Sequence, residues 1–175
     1  LIDQLHEFAK EAAQFEKWAM EPHQSGAPAL RQALIHITRL YLAALQLSRR
    51  WADDVEDKSG MSRVAAEDVS KIIASASLPI DMYGEIFNPL IVPPEDPVIG
   101  SITDDVISIY RDVVTGLRAY QRGDLSNARW EWGFSFAHHW GRHATGAIRT
   151  LHIWLAVNAI DELAEVRDRA GSGFA

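Results

Sequence analysis

Residues 130–143 read "WEWGFSFAHHWGRH", which places three tryptophans, two phenylalanines and three histidines in fourteen positions of a chain that holds six tryptophans and seven histidines in all. From Trp132 to Ile160 only Arg142 and Arg149 carry a charge. A helix apolar nearly all round belongs inside a bundle, because leaving large apolar side chains in water forgoes roughly 1.5 to 3 kcal/mol each. The stretch is therefore read first as part of a long buried C-terminal helix. That helix is expected from about 126 to 169, capped by Asp124 or Ser126 and open to interruption at Gly133, Gly141 or Gly146.

Working towards the N-terminus, Ile102, Val106, Ile109, Tyr110, Val113, Leu117 and Tyr120 recur at helical steps and predict a third long helix. Ser101 or Thr103 caps it, Asp104 and Asp105 suit the positive end, and Gly123 closes it. Before it, "SLPIDMYGEIFNPLIVPPEDPVIG" holds five of the seven prolines, so segment 78–100 is read as a crossover with at most a helical turn or two at Asp81 to Phe87. Val64 to Ala76 carries a shorter helical pattern, behind an acidic loop, "DDVEDKSGMS". Pro28 opens a helix that runs to about Arg50, with Leu30, Leu34, Ile37, Tyr41, Ala44 and Leu45 on its apolar face. Leu1, Leu5, Phe8, Ala12, Phe15 and Ala19 mark a first helix ended by Pro22.

Nothing alternates as a strand and nothing repeats. The expected fold is all-α: one domain, 1–175, formed as an antiparallel helical bundle of about four main helices, a short helix and the proline-rich crossover. A hydrophobic content of 47% with 23% charged residues is ordinary for a globular protein. The absence of cysteine excludes disulfides, thiolate zinc sites and cysteine nucleophiles. A net charge of −7 argues against a phosphate-tracking nucleic-acid binder. No apolar run approaches the ~18 to 20 residues of a bilayer span, and "LIDQLHEFAKEAAQFEKW" lacks the apolar core of a secretory signal, so a cytoplasmic protein is expected.

Advancing the last helix by about 100 degrees per residue gathers Trp132, Phe136, His139, His143, Ala147, Thr150 and Trp154 in one sector. His139 and His143, at i and i+4, can aim two ring nitrogens at one metal ion. His152 projects nearly opposite. Trp140, Gly141 and Arg142 lie between the paired histidines, so the glutamate of a helical metallopeptidase is missing. Asp105 and Asp112, seven apart, are the candidate further ligands for a divalent zinc or iron ion, provided that the third and last helices pack antiparallel through "QRGDL". Gly116, on the same edge, lets the neighbouring helix approach. The plainer alternative has Asp105 or Asp112 accepting a hydrogen bond from a buried imidazole or from Arg142. Glu-x-x-His, the signature of carboxylate-bridged di-iron bundles, does not occur. Glu131, His138, Arg142, Thr145 and Arg149 form a polar seam, in which Arg142 and Arg149 are candidates for holding an anionic ligand. P-loop, dinucleotide-binding and nucleophile-elbow motifs are absent.

Four stretches, "EFAKEAAQFEKW", "YGEIFNP", "DDVISIYRDVVTGLRAYQRG" and "ARWEWGFSFAHHWGRHATGAIRTLH", together resemble the bacterial domain-of-unknown-function 5063 family. The resemblance covers most of the chain and implies a small helical protein without an established activity. It draws attention to Asp105, Tyr110, Asp112, Trp140 and His152 as matched positions for a candidate polar pocket. With no complete catalytic set, the leading expectation is a non-enzymatic interaction or accessory protein, acting on a protein partner or a second copy of itself. The alternatives are a metal- or small-ligand-binding bundle using Asp105, Asp112, His139 and His143, and an anion or phosphometabolite binder using Arg142 and Arg149. No nucleic-acid or membrane partner is expected.

Overall fold

The computed structural model describes residues 2–47, 72 and 74–158. It is a mostly α-helical bundle. The first helix, α1, spans Ile2–Met20, and its buried Leu5, Phe8, Ala12, Phe15 and Ala19 keep the spacing the sequence predicts. The second, α2, spans Ala27–Gln46, with Pro28 in its first turn after Gly26 at a φ of 83°. Leu30, Ala33, Ile37 and Leu40 pack inward from it. The helix stops at Gln46, short of the predicted end near Arg50, because Leu47 already adopts an extended backbone (φ −62°, ψ 130°) that cannot continue it. Most of the short helix expected over 64–76 lies outside the described residues, and Ala74–Ser77 forms a single 3-10 turn.

The crossover departs from expectation. Where one or two helical turns are predicted, Met82–Glu85 forms a strand, β1, that pairs antiparallel with Val98–Ser101, β2. Met82 lies opposite Ser101 and Tyr83 opposite Gly100. The cause is a cross-strand fit: the Tyr83 ring lies so close over Gly100 that a Cβ there would stand 2.5 Å from it. Tyr83 and Glu85 are half-buried while Met82 and Gly84 are exposed, the two-residue alternation of a strand with one face on the bundle.

Strand β2 runs straight into the helix α3, Ile102–Gln121. Ser101 caps this helix by accepting from the Asp104 amide at 3.2 Å. Asp81, before β1, accepts from the Thr103 amide at 2.8 Å and from the Ser101 hydroxyl at 3.0 Å. These bonds hold the Asp81 carboxyl below its ordinary value and tie the hairpin to the start of α3. Gly123, at a φ of 82°, turns the chain, and Asp124 caps α4, Leu125–Ser135, by accepting from the Asn127 amide.

The last helix is neither uniform nor buried all round. Between α4 and α5, Gly141–Asn158, residues Phe136–Trp140 form a π-helical turn. Gly141 accommodates it, since the Phe136 carbonyl occupies the place where a Cβ would stand. The wider turn rotates the helix beyond it, so the buried stripe runs through Trp132, Trp140, Ala144, Ala147 and Leu151 rather than through the histidines. Phe134, Ile153 and Val157 stay exposed, and the predicted continuation beyond 158 lies outside the described residues.

Helix α3 packs against α1, α4 and α5, and α2 packs against α1 and α5. Phe8 meets Trp132 with ring centroids 4.6 Å apart, and Phe136 meets Trp140 at 4.8 Å. At the closest approach Trp132 donates its indole N–H to the Val113 carbonyl at 2.8 Å, lying on Gly116, where any side chain would collide with the indole. The glycine's role as a close-approach point thus holds, with Trp132 as the group received. No helix among the described residues is long and apolar enough to cross a membrane.

Candidate functional site

The seam between α3 and the α4–α5 rod is antiparallel: Gly116 meets Trp132, Asp112 meets His139 and Asp105 meets His143. His139 Nδ1 and Asp112 Oδ2 are 2.7 Å apart, and His143 Nδ1 and Asp105 Oδ1 are 2.9 Å apart. The two imidazoles stand edge to face, with centroids at 5.0 Å. Two turns of α3 separate the aspartates by about 10.5 Å. Each carboxylate takes the Nδ1 of a different ring. This is the plainer hydrogen-bonded alternative. Among the described residues no group of three or more His, Asp or Glu is arranged to hold a metal ion.

Asp105 is the more protected carboxylate, 3% exposed, and it has a second partner that sequence reasoning missed. Tyr83 donates its hydroxyl to Asp105 Oδ2 at 2.8 Å. Burial and the adjacent carboxylate hold the Tyr83 phenol far above its ordinary value, so it serves as a fixed hydrogen-bond donor. The Asp105 hydrogen bond raises the pKa of His143, opposed by burial and by Arg142 and assisted by Asp104. Tyr83 reaches Asp105 because two glycines make room: Gly100 beneath its ring, and Gly146, where a Cβ would come within 2.5 Å of its hydroxyl. The available signal was the alternation of "MYGE", too short to outweigh the proline-rich surroundings.

With each Nδ1 committed to a carboxylate, the Nε2 atoms are the nitrogens left for a ligand. A carboxylate on Nδ1 fixes the ring's orientation and, in the neutral imidazole, places the lone pair on Nε2. The side chain of His139 is 49% exposed and that of His143 22%, so the pair reaches solvent from one end.

Residues 1–157 match the family model described as Domain of unknown function (DUF5063). The chain belongs to this family. A crystal structure of protein BF1032 from Bacteroides fragilis is similar to it with a TM-score of 0.63 and 20% identity, covering 85% of this chain and 93% of that one. At that identity the likeness concerns the fold. No curated protein sequence matches.

The positions emphasised by the DUF5063 resemblance do not gather in one pocket. Asp105 and Asp112 hold the imidazoles, whereas Tyr110 and Trp140 are buried in the core. Trp140 keeps its indole N–H without a hydrogen-bond partner among the described residues. His152 is exposed on α5, nine residues and so half a rotation from His143. The two arginines of the DUF5063 chain's polar seam are also divided. Arg142 lies over the Phe87 ring, 4.2 Å from its centroid, while Arg149 borders a cavity farther along α5.

Proposed function

We propose that this DUF5063 chain is a binding protein that takes a divalent transition-metal ion on the Nε2 atoms of His139 and His143. Asp112 and Asp105 act one shell out, holding the rings instead of touching the ion. This changes their role from that of ligands, as the sequence spacing implies. The carrying observation is the pair of Nδ1–carboxylate bonds on adjacent rings, an arrangement that orients metal-ligating histidines and raises their basicity. Imidazole donors suit zinc and iron alike, and coordination is completed by water or by a donor from a bound molecule. Titration of the purified chain with zinc, followed by elemental analysis, is expected to give one ion per chain. That ion is lost in both His139→Ala and His143→Ala with helicity unchanged, and Asp112→Asn weakens it by roughly 10- to 100-fold. A chain that takes up neither zinc nor iron, or alanine variants that retain the ion, would end this reading.

A second reading, contact with a protein partner or a second copy, is favoured by the crest of the hairpin. Leu90, Val92 and Ile99 are 89%, 87% and 76% exposed, more than scattered surface apolar residues need. Sedimentation across a wide concentration range tests self-association, which Leu90→Ser with Val92→Ser is expected to abolish. A chain monomeric throughout, with no partner recovered reproducibly through this crest, removes the idea. A cytoplasmic setting without nucleic acid or membrane goes with both readings. For the arginine seam as an anion site, Arg142 stacks one guanidinium face on Phe87, which leaves its in-plane N–H groups for a ligand, and no observation favours this reading over the other two.

A further inference from the structure

Beyond the histidine pair, a cavity of about 360 Å³ opens between β1 and the outer half of α5, within the size range of small-molecule sites. Its origin lies in the packing of these two elements. At Gly146 the strand rests directly on the helix: a Cβ there would come within 2.5 Å of the Tyr83 hydroxyl and 3.2 Å of Glu85 Oε1. Farther along the helix Ile153 and Trp154 furnish apolar walls. The polar groups at this cavity include two of opposite charge, Glu85 and Arg149.

Both residues are placed by Gly146 and line one cavity without pairing with each other. The Glu85 carboxylate lies over Gly146, and Arg149 follows Gly146 by three residues on the same face, about 5 to 6 Å between the two positions. Neither side chain makes an ion pair or a hydrogen bond with any described residue. A carboxylate and a guanidinium beside an apolar wall lose hydration when a ligand enters, and each then needs a counter-charge. An apolar anion would answer Arg149 and meet repulsion from Glu85. An apolar cation would do the reverse. A molecule with both charges on one end and an apolar body satisfies the whole arrangement.

We propose that this cavity binds a small zwitterion with a large apolar side chain, in chemical terms an aromatic or branched aliphatic α-amino acid. Its carboxylate takes the Arg149 guanidinium, its ammonium takes the Glu85 carboxylate, and its side chain lies along Ile153 and Trp154. The site uses none of the nitrogen atoms assigned to the metal, so the two proposals stand or fall separately.

Calorimetric titration of the full chain with L-phenylalanine, beside phenylacetate and phenethylamine, tests it. L-Phenylalanine is expected to bind saturably, and removing either charged group from the probe to weaken binding about tenfold or more. Arg149→Gln should erase the advantage of L-phenylalanine over phenethylamine, and Glu85→Gln its advantage over phenylacetate. Both substitutions lie at the cavity's border, and a circular dichroism melt confirms that the variants are folded. The His139→Ala, His143→Ala double variant should bind L-phenylalanine like the parent, which separates this result from failure of the metal site. Absence of saturable binding at millimolar L-phenylalanine, or unchanged binding in both cavity variants, overturns the proposal. So does a concentration-dependent dimer lost in Ile153→Ser without any amino-acid binding, because the apolar wall would then be a contact between copies.

Discussion

The seam between α3 and the α4–α5 rod has two ends, eleven residues or about 16.5 Å apart along α3, and they are built differently. At one end Gly116 receives the indole of Trp132, leaving no room for a single methyl group. At the other, Asp105 and Asp112 hold His143 and His139 by hydrogen bonds, and one imidazole is half exposed. The first end is specified by volume and resists change in either direction. The second is specified by donors and acceptors, so its rings are held in orientation while their outer nitrogens stay available. A helix pair can thus be locked at one end and chemically open at the other.

Emptying the dry end should give the largest effect. Trp132→Ala removes a fully buried ring and its bond to Val113, and is expected to cost about 3 to 5 kcal/mol in denaturant unfolding. A loss below about 1 kcal/mol would show that the tight end does not lock the seam. Gly116→Ala should come next, with a net loss of about 1 to 2 kcal/mol, because a methyl group colliding with the indole nitrogen puts overpacking near the top of its ~1 to 3 kcal/mol range and alanine's helix propensity returns ~1 kcal/mol. A neutral result there would mean that the indole can withdraw.

At the polar end, Tyr83→Phe removes one donor from Asp105 and should destabilise the fold by about 1 kcal/mol. It also tests the coupling to His143, whose imidazole resonances should titrate at a changed pH. An unchanged titration would detach the hairpin from the site. The pH dependence comes from the sign of the His143 shift. Because its folded pKa is raised above the ordinary 6.5, its contribution is complete below that value and fades as pH rises through the folded one. The stability gap between the metal-free parent and His143→Gln should accordingly be wider near about pH 6 than at about pH 8.5.

The smallest effect is expected at the hairpin tie. Asp81→Ala should cost about 0.5 to 1 kcal/mol through the lost bonds to Thr103 and Ser101. Its lowered pKa gives the opposite pH window: the contribution is present above the ordinary carboxylate value and lost as pH falls through the folded one.

Much of this was legible residue by residue. The stripe from Ile102 to Leu117 and the turn at Gly123 were readable, and the caps Ser101 and Asp124 were each one of two candidates, because each feature depends on neighbours a few positions away. The pairing of an aspartate with an imidazole was readable as one of two alternatives, since both arrangements use the same residues at the same spacing. Tyr83 escaped because a four-residue strand owes its existence to a partner sixteen or so positions on, and its side chain to the gaps at Gly100 and Gly146. The uniform rotation applied to the C-terminal helix failed at Phe136–Trp140, where a π turn moves Trp140 into the core and leaves His139 at the surface.

The sequence by itself determined that this is a helical bundle, where its four long helical segments start, where the first and third of them stop, and which two aspartates and two histidines could meet. Those properties arise from periodicity and capping, which act within a turn or two of chain. Only the tertiary structure decided that the aspartates hold the imidazoles by Nδ1, that a strand brings Tyr83 to Asp105, and that Glu85 and Arg149 face one cavity. Each of these depends on how far apart two elements settle, a distance set by close packing across the whole molecule.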